Sequence, residues 1–203
     1  MRKKDKTGKV SGFLWSQDDA DVADFYASSQ PTEPFGHRVF VSFERSSLEL
    51  AKKFEAAFRE FGLEPYRYAP VEEIRARQTP YTLREIKTNY PETFRGLAAT
   101  LRRSAAIVFI VSEPSLKSPL CEMEGFLASI IHSFWPQGRV RNEAGIYLIL
   151  EKPELVPPWL RQYWSRVYEE GLEYTLAELL ASEIERLSNI LQLVEEHRSR
   201  IYR

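Results

Sequence analysis

Apolar residues along the chain fall into short continuous runs and into stripes that repeat every three or four positions, and the two patterns alternate. The runs "HRVFVSF" (residues 37–43), "AAIVFIV" (105–111) and "IYLIL" (146–150) are rich in β-branched and aromatic side chains and are apolar at successive positions. That is the pattern of strands covered by helices on both faces. "LEPYRYAP" (63–70) carries two prolines, which restrict it to a brief or edge strand, and "RVYEEG" (166–171) reads as a last edge strand. Between the runs, "SSLELAKKFEAAFREFG" sets Ala51, Phe54, Phe58 and Phe61 at helical intervals. Ser46 and Glu49 stand at the separation of a capping box, and Gly62 suits the end of the helix. "ETFRGLAATLRRS" resumes the helical spacing through Phe94, Leu97 and Leu101. Strand followed by helix, repeated, predicts an α/β fold with an open, mostly parallel central sheet and helices on both faces. Ligands of such folds sit outside the carboxyl ends of the strands, so the loops after Phe43, Tyr68 and Val111 are where chemistry is expected.

The helix after the second long run opens with Ser118 and Pro119, a favoured cap before a favoured first helical residue. At about 100° per residue its apolar face holds Leu120, Met123, Phe126, Leu127, Ile130, Ile131 and Phe134. Glu122 then points away from that face, and Glu124 lies at its border, half inside, beside Ala128 and Ile131. A long terminal stripe, Leu176, Leu180, Ile184, Leu187, Leu191 and Val194, predicts an amphipathic helix whose far end is free to serve a partner or a second copy. The chain divides into an extension over 1–36, a core over 37–180 with an enlarged polar loop at about 70–92, and a terminal helix over 181–203.

Composition narrows the function. A length of 203 residues suits one core with extensions. A net charge of -1 offers no general attraction to nucleic acid or to an anionic membrane. A single cysteine, Cys121, excludes an intramolecular disulfide, and the polar start lacks the apolar stretch of a signal peptide, so a cytoplasmic protein is expected. No apolar run approaches the roughly 18 residues of a membrane span. His37, His132 and His197 are scattered without acidic or cysteine neighbours at ligand spacing, so no metal site is expected. No glycine-rich phosphate loop is present.

"RVFVSF", "RRSAAIVFIVSEPSLKSPLCEMEG" and "GIYLILEKPELVPPWLRQY", in this order, resemble segments of Toll/interleukin-1 receptor (TIR) domains, and of standalone prokaryotic members in particular. Ser118, Cys121 and Glu124 match that family's Ser-x-x-Cys-x-x-Glu pattern, although Leu120 replaces its usual tryptophan. The resemblance implies a flavodoxin-like sheet and an NAD+ glycohydrolase or cyclase that cuts the nicotinamide-ribose bond. Glu124 would be the catalytic residue, and Ser42, Phe43, Glu44, Arg45, Ser118 and Cys121 would line the substrate. Departure of a neutral nicotinamide needs no acid on the leaving group, so one carboxylate suffices for such chemistry. NAD would be substrate and no cofactor would be held. Self-association and an activating partner protein or small-molecule signal, in an immune or cell-suicide pathway, follow from the same resemblance. Arg75, Arg77 and Arg84 would be within reach of a pyrophosphate, or else solvated. Two other readings are a non-catalytic TIR adaptor that signals by self-association and an enzyme like the nucleoside deoxyribosyltransferases.

Overall fold

A computed structural model describes residues 36–67, 91–133, 145–156, 161 and 163–201. Five strands, β1 (Arg38–Ser42), β2 (Glu64–Tyr66), β3 (Ala106–Val111), β4 (Ile146–Leu150) and β5 (Trp164–Val167), form one sheet. All are parallel, in the order β2-β1-β3-β4-β5. The helices are α1 (Leu48–Glu60), α2 (Pro91–Arg102), α3 (Glu113–Lys117), α4 (Pro119–Ser133) and α5 (Leu172–Ile201). The chain therefore has the α/β, flavodoxin-like architecture that its strand-helix alternation predicts. No helix among the described residues is long and apolar enough to cross a membrane. The N-terminal extension through residue 35 and most of the enlarged loop, with Arg75, Arg77 and Arg84, lie outside the described residues.

Burial follows the sheet's position in the layers. β3 and β4 are buried at every residue, as interior strands between two helical layers must be. β2 and β5 are edges and are partly exposed, and Pro65 is accommodated in β2 for that reason. On one face Val39, Val41, Val108, Ile110, Tyr147 and Ile149 pack with Phe54, Phe58, Leu176, Leu180 and Ile184, the inward stripes of α1 and α5. The alternate strand residues, Phe40, Ser42, Ile107, Phe109 and Leu148, turn to the other face, where α2 and α4 pack on each other.

The end of α1 shows how local chemistry sets the next strand. Leu63 N–H donates to Phe58 C=O at 2.9 Å and Gly62 N–H to Arg59 C=O at 3.1 Å, the two bonds of a Schellman turn. Gly62 holds the positive φ of 75° that this turn requires, and buried Leu63 follows it into the core. Gly62→Ala meets no neighbouring atom, so its cost is conformational alone, about 1 kcal/mol by urea unfolding.

The start of α1 differs from its expected form. A 3-10 turn, Arg45–Ser47, precedes the α-helix, and its cap is Glu44, whose carboxylate accepts from the Ser46 N–H. Ser46 and Glu49 form no capping box; Glu49 instead pairs with Lys52 at 2.8 Å. Glu44 lies on the incoming chain beside the Ser46 amide and takes the donor that the box would have used. A second unexpected element is α3, closed by a reciprocal box in which Ser115 N–H donates to Ser112 Oγ and Ser112 N–H to Ser115 Oγ.

Tyr147 lies inside the sheet with its ring edge-on to Trp164, centroids 5.6 Å apart. Burial, and then the charge of Glu183, push its phenol from 10.0 up to about 12. The folded phenol thus keeps its proton at a pH where the unfolded one has lost it. Its contribution is complete below pH 10 and disappears as pH rises to about 12. Stability is expected to fall in that window by about 1.4 kcal/mol per pH unit from this residue, and Tyr147→Phe should remove that slope from the difference curve.

Candidate functional site

From β1 the chain moves outward to β2, then crosses back to β3, so the loops leaving β1 and β3 run to different sides and leave a crevice at the carboxyl edge between them. Ser42 is the last residue of β1 and stands in register with Phe109 of β3. Strand alternation turns it toward α4, and there Ser42 Oγ donates to Glu124 Oε2 at 2.5 Å. Both residues are 1% exposed. The bond is short, and it links β1 to a helix residue 82 positions later.

The local sequence explains how Glu124 reaches this place. Ser118 caps α4, its Oγ accepting from the Cys121 N–H at 3.4 Å, and Pro119 occupies the first helical position. That start fixes the phase, so Leu120, Met123 and Leu127 are buried and Glu122 is exposed. Glu124 is buried with the apolar residues instead of lying at their border. Periodicity counts it as polar; it cannot register that a serine at the end of a distant strand satisfies the carboxylate inside.

The other expected site residues do not assemble around this pair. Phe43, the next residue after Ser42, belongs to the opposite face, in the core with α1 and α5, and is 2% exposed. Glu44 is half-buried and caps the 3-10 turn, while Arg45 in that turn is exposed. Ser118 is the helix cap, and Cys121 is half-buried one turn before Glu124. The structure therefore joins Ser42 to Glu124 but separates Phe43 from both.

Residues without a motif complete the region. Ser112, buried just after β3, approaches Ser47 of the β1 loop, Oγ to Oγ at 3.4 Å, so the two loops that border the crevice touch. On the far side of β1, Arg67 leaves β2 and lies over the Phe43 ring, 4.9 Å from its centroid. Its guanidinium is held by Glu55 of α1 through two bonds of 2.5 and 2.7 Å. Glu55 is 5% exposed and sits mid-helix, where periodicity alone assigns it no partner.

No family model matches the chain, and no curated protein matches it. Solved structures with a similar course include a diflavin flavoprotein A3 from Nostoc sp., 12% identical over 78% of this chain and 97% of that one, with a TM-score of 0.40. Another is FerB, a flavoenzyme NAD(P)H:(acceptor) oxidoreductase from Paracoccus denitrificans, 14% identical over 75% of this chain and 95% of that one, with a TM-score of 0.39. These findings correct the TIR resemblance: the structures found are flavoproteins, and no family model supports the motif match. The NAD+ nucleosidase activity, the adaptor and deoxyribosyltransferase alternatives, and the immune role are withdrawn with it. The expectation that no cofactor is held falls as well, since both proteins found are flavoproteins. There is a structural reason for the misreading. A buried strand, a polar turn and a capped helix recur in any doubly wound sheet, so short strings taken from them report the fold and not the family.

Proposed function

We propose that this chain is a small-molecule-binding α/β domain whose ligand, an organic molecule bearing hydroxyl groups, docks at the carboxyl edge between β1 and β3. Glu124 accepts hydrogen bonds from the ligand, and Ser42 holds that carboxylate in place until the ligand arrives. The observation that carries this reading is the Ser42–Glu124 bond of 2.5 Å, a carboxyl group kept inside at the point where doubly wound sheets bind their ligands. Burying a carboxylate is costly unless it is hydrogen-bonded, and an apolar side chain would fill the same space at lower cost. Both residues of the pair are covered, so docking requires local movement at that edge.

A flavin, which the two flavoproteins above suggest, was compared with the residues present. Its phosphate does not fit the described loop after β1, because the Ser46 N–H and Oγ both donate to Glu44. Phe43 offers its ring no free face on the side that Arg67 covers. No chemistry is assigned through a flavin.

A thermal-shift panel of nucleosides, nucleotides, flavins and sugars against the wild type and Glu124→Gln tests the proposal. The expected result is a ligand that stabilises the wild type and binds Glu124→Gln about 10- to 100-fold more weakly, the worth of a hydrogen bond to a charged group. Ligands that shift both proteins equally would place the site elsewhere and leave Glu124 a purely structural carboxylate.

A further inference from the structure

Resting on that reading of the site, we infer that Glu44 is a specificity-determining residue: it fills the position an anion would take in the loop after β1, so the ligand of this site carries no phosphate there. In doubly wound folds the phosphate of a nucleotide lies against free N–H groups where the first loop turns into its helix. In this chain the donors of Ser46 and Ser47 are engaged. Ser46 N–H and Ser46 Oγ each donate to Glu44 Oε2 at 2.7 Å, and the Ser47 N–H donates to the Glu44 backbone carbonyl at 2.8 Å.

Three further observations agree. The loop Phe43–Ser47 contains no glycine, so its backbone lacks the bare approach that phosphate loops use. Across the crevice the Ser112 N–H is bonded to Ser115 Oγ at 2.8 Å, so the β3 loop has no free donor at that position either. Acids stand beside these donors: Glu44 on the β1 loop, Glu113 at the start of α3, facing Lys152 at 3.8 Å, and buried Glu124 on α4. Of the cations nearby, Arg67 is bonded to Glu55, while Arg45 and Lys117 are exposed. A carboxylate beside a helix start stabilises that helix and also repels a second anion from the same donors. The site therefore favours a neutral or cationic hydroxyl-bearing ligand, a nucleoside in preference to a nucleotide.

The test uses the full chain as wild type, Glu44→Gln and Glu44→Gly, with two probes. Inorganic phosphate is titrated while the amide resonances of Ser46 and Ser47 are followed by NMR. The wild-type resonances are expected to stay fixed, and those of Glu44→Gly to move and saturate as the vacated donors take the ion. A saturable wild-type shift overturns the inference, and so does a folded Glu44→Gly whose amides ignore phosphate. Adenosine and adenosine 5′-monophosphate, which differ only by the phosphate, are then compared. Adenosine is expected to bind the wild type about fivefold or more tightly than the phosphorylated form, with Glu44→Gln bringing the ratio toward one. Equal or tighter binding of the phosphorylated form to the wild type overturns the inference and leaves the site intact. The phosphate titration needs no bound organic ligand, so it decides the role of Glu44 independently of Ser42 and Glu124. Glu44→Gln retains an oxygen acceptor for the turn and serves as the folding control.

Discussion

Arg67→Ala is expected to destabilise the protein by about 2 to 4 kcal/mol, because it strands the Glu55 carboxylate inside α1. Glu55 receives both guanidinium bonds, and its side chain is 7% exposed against 29% for Arg67. Its other cation, Arg59, stands 3.7 Å away with a side chain 62% exposed, so it compensates only in part. The same truncation uncovers the Phe43 ring. By contrast, removing both charges together, as Glu55→Leu with Arg67→Leu, is expected to lie within about 1 kcal/mol of the wild type, since a buried pair replaced by apolar groups loses little. Urea unfolding of Glu55→Leu, Arg67→Leu and the double completes the cycle. Strictly additive losses would show that the pair is not coupled and that its geometry contributes nothing.

The second large effect concerns the pair at the crevice and has opposite signs for stability and for binding. Glu124→Leu combined with Ser42→Ala removes a buried carboxylate and the hydroxyl bonded to it, leaving an apolar contact between β1 and α4. If Glu124 is retained for a ligand, this double variant should be as stable as the wild type, or more stable by about 1 to 2 kcal/mol, and should bind ligand at least 10-fold more weakly. Ser42→Ala alone behaves differently. It removes one partner and leaves the other, so it should cost about 1 to 3 kcal/mol. Thermal unfolding and isothermal titration of the same three proteins separate the two effects. A double variant that is markedly less stable than Ser42→Ala alone would make the pair a structural pin.

Much of the fold was legible because burial on both faces leaves a plain mark. Ile146–Leu150 was expected as a strand and is one, residue for residue, and the prolines of 63–70 correctly announced a short edge. Ser118 and Pro119 set the start of α4 because a cap is a local device, decided by neighbouring residues. What escaped was decided at long range or by competition between neighbours. Glu124 was placed at the border of the apolar face, yet it is fully buried and bonded to Ser42, 82 residues away. Glu55 looked like an ordinary polar residue of α1 until β2 brought Arg67 against it. At the start of α1 two caps competed, and spacing rules favour Ser46 with Glu49 while the turn geometry favours Glu44. The family assignment failed for a related reason: three strand-and-turn segments in sequence order are what a parallel sheet demands, and they do not specify which chemistry is placed on it.

The most direct measurement is an amide NMR map of the wild type titrated with the strongest ligand from the binding panel. The account requires the largest shifts at Ser42 to Ser47, Ser112 to Ser115 and the first two turns of α4 around Glu124, with those shifts lost in Glu124→Gln. Saturable shifts confined to β5 or α5, with the β1 and β3 loops unmoved, would contradict it.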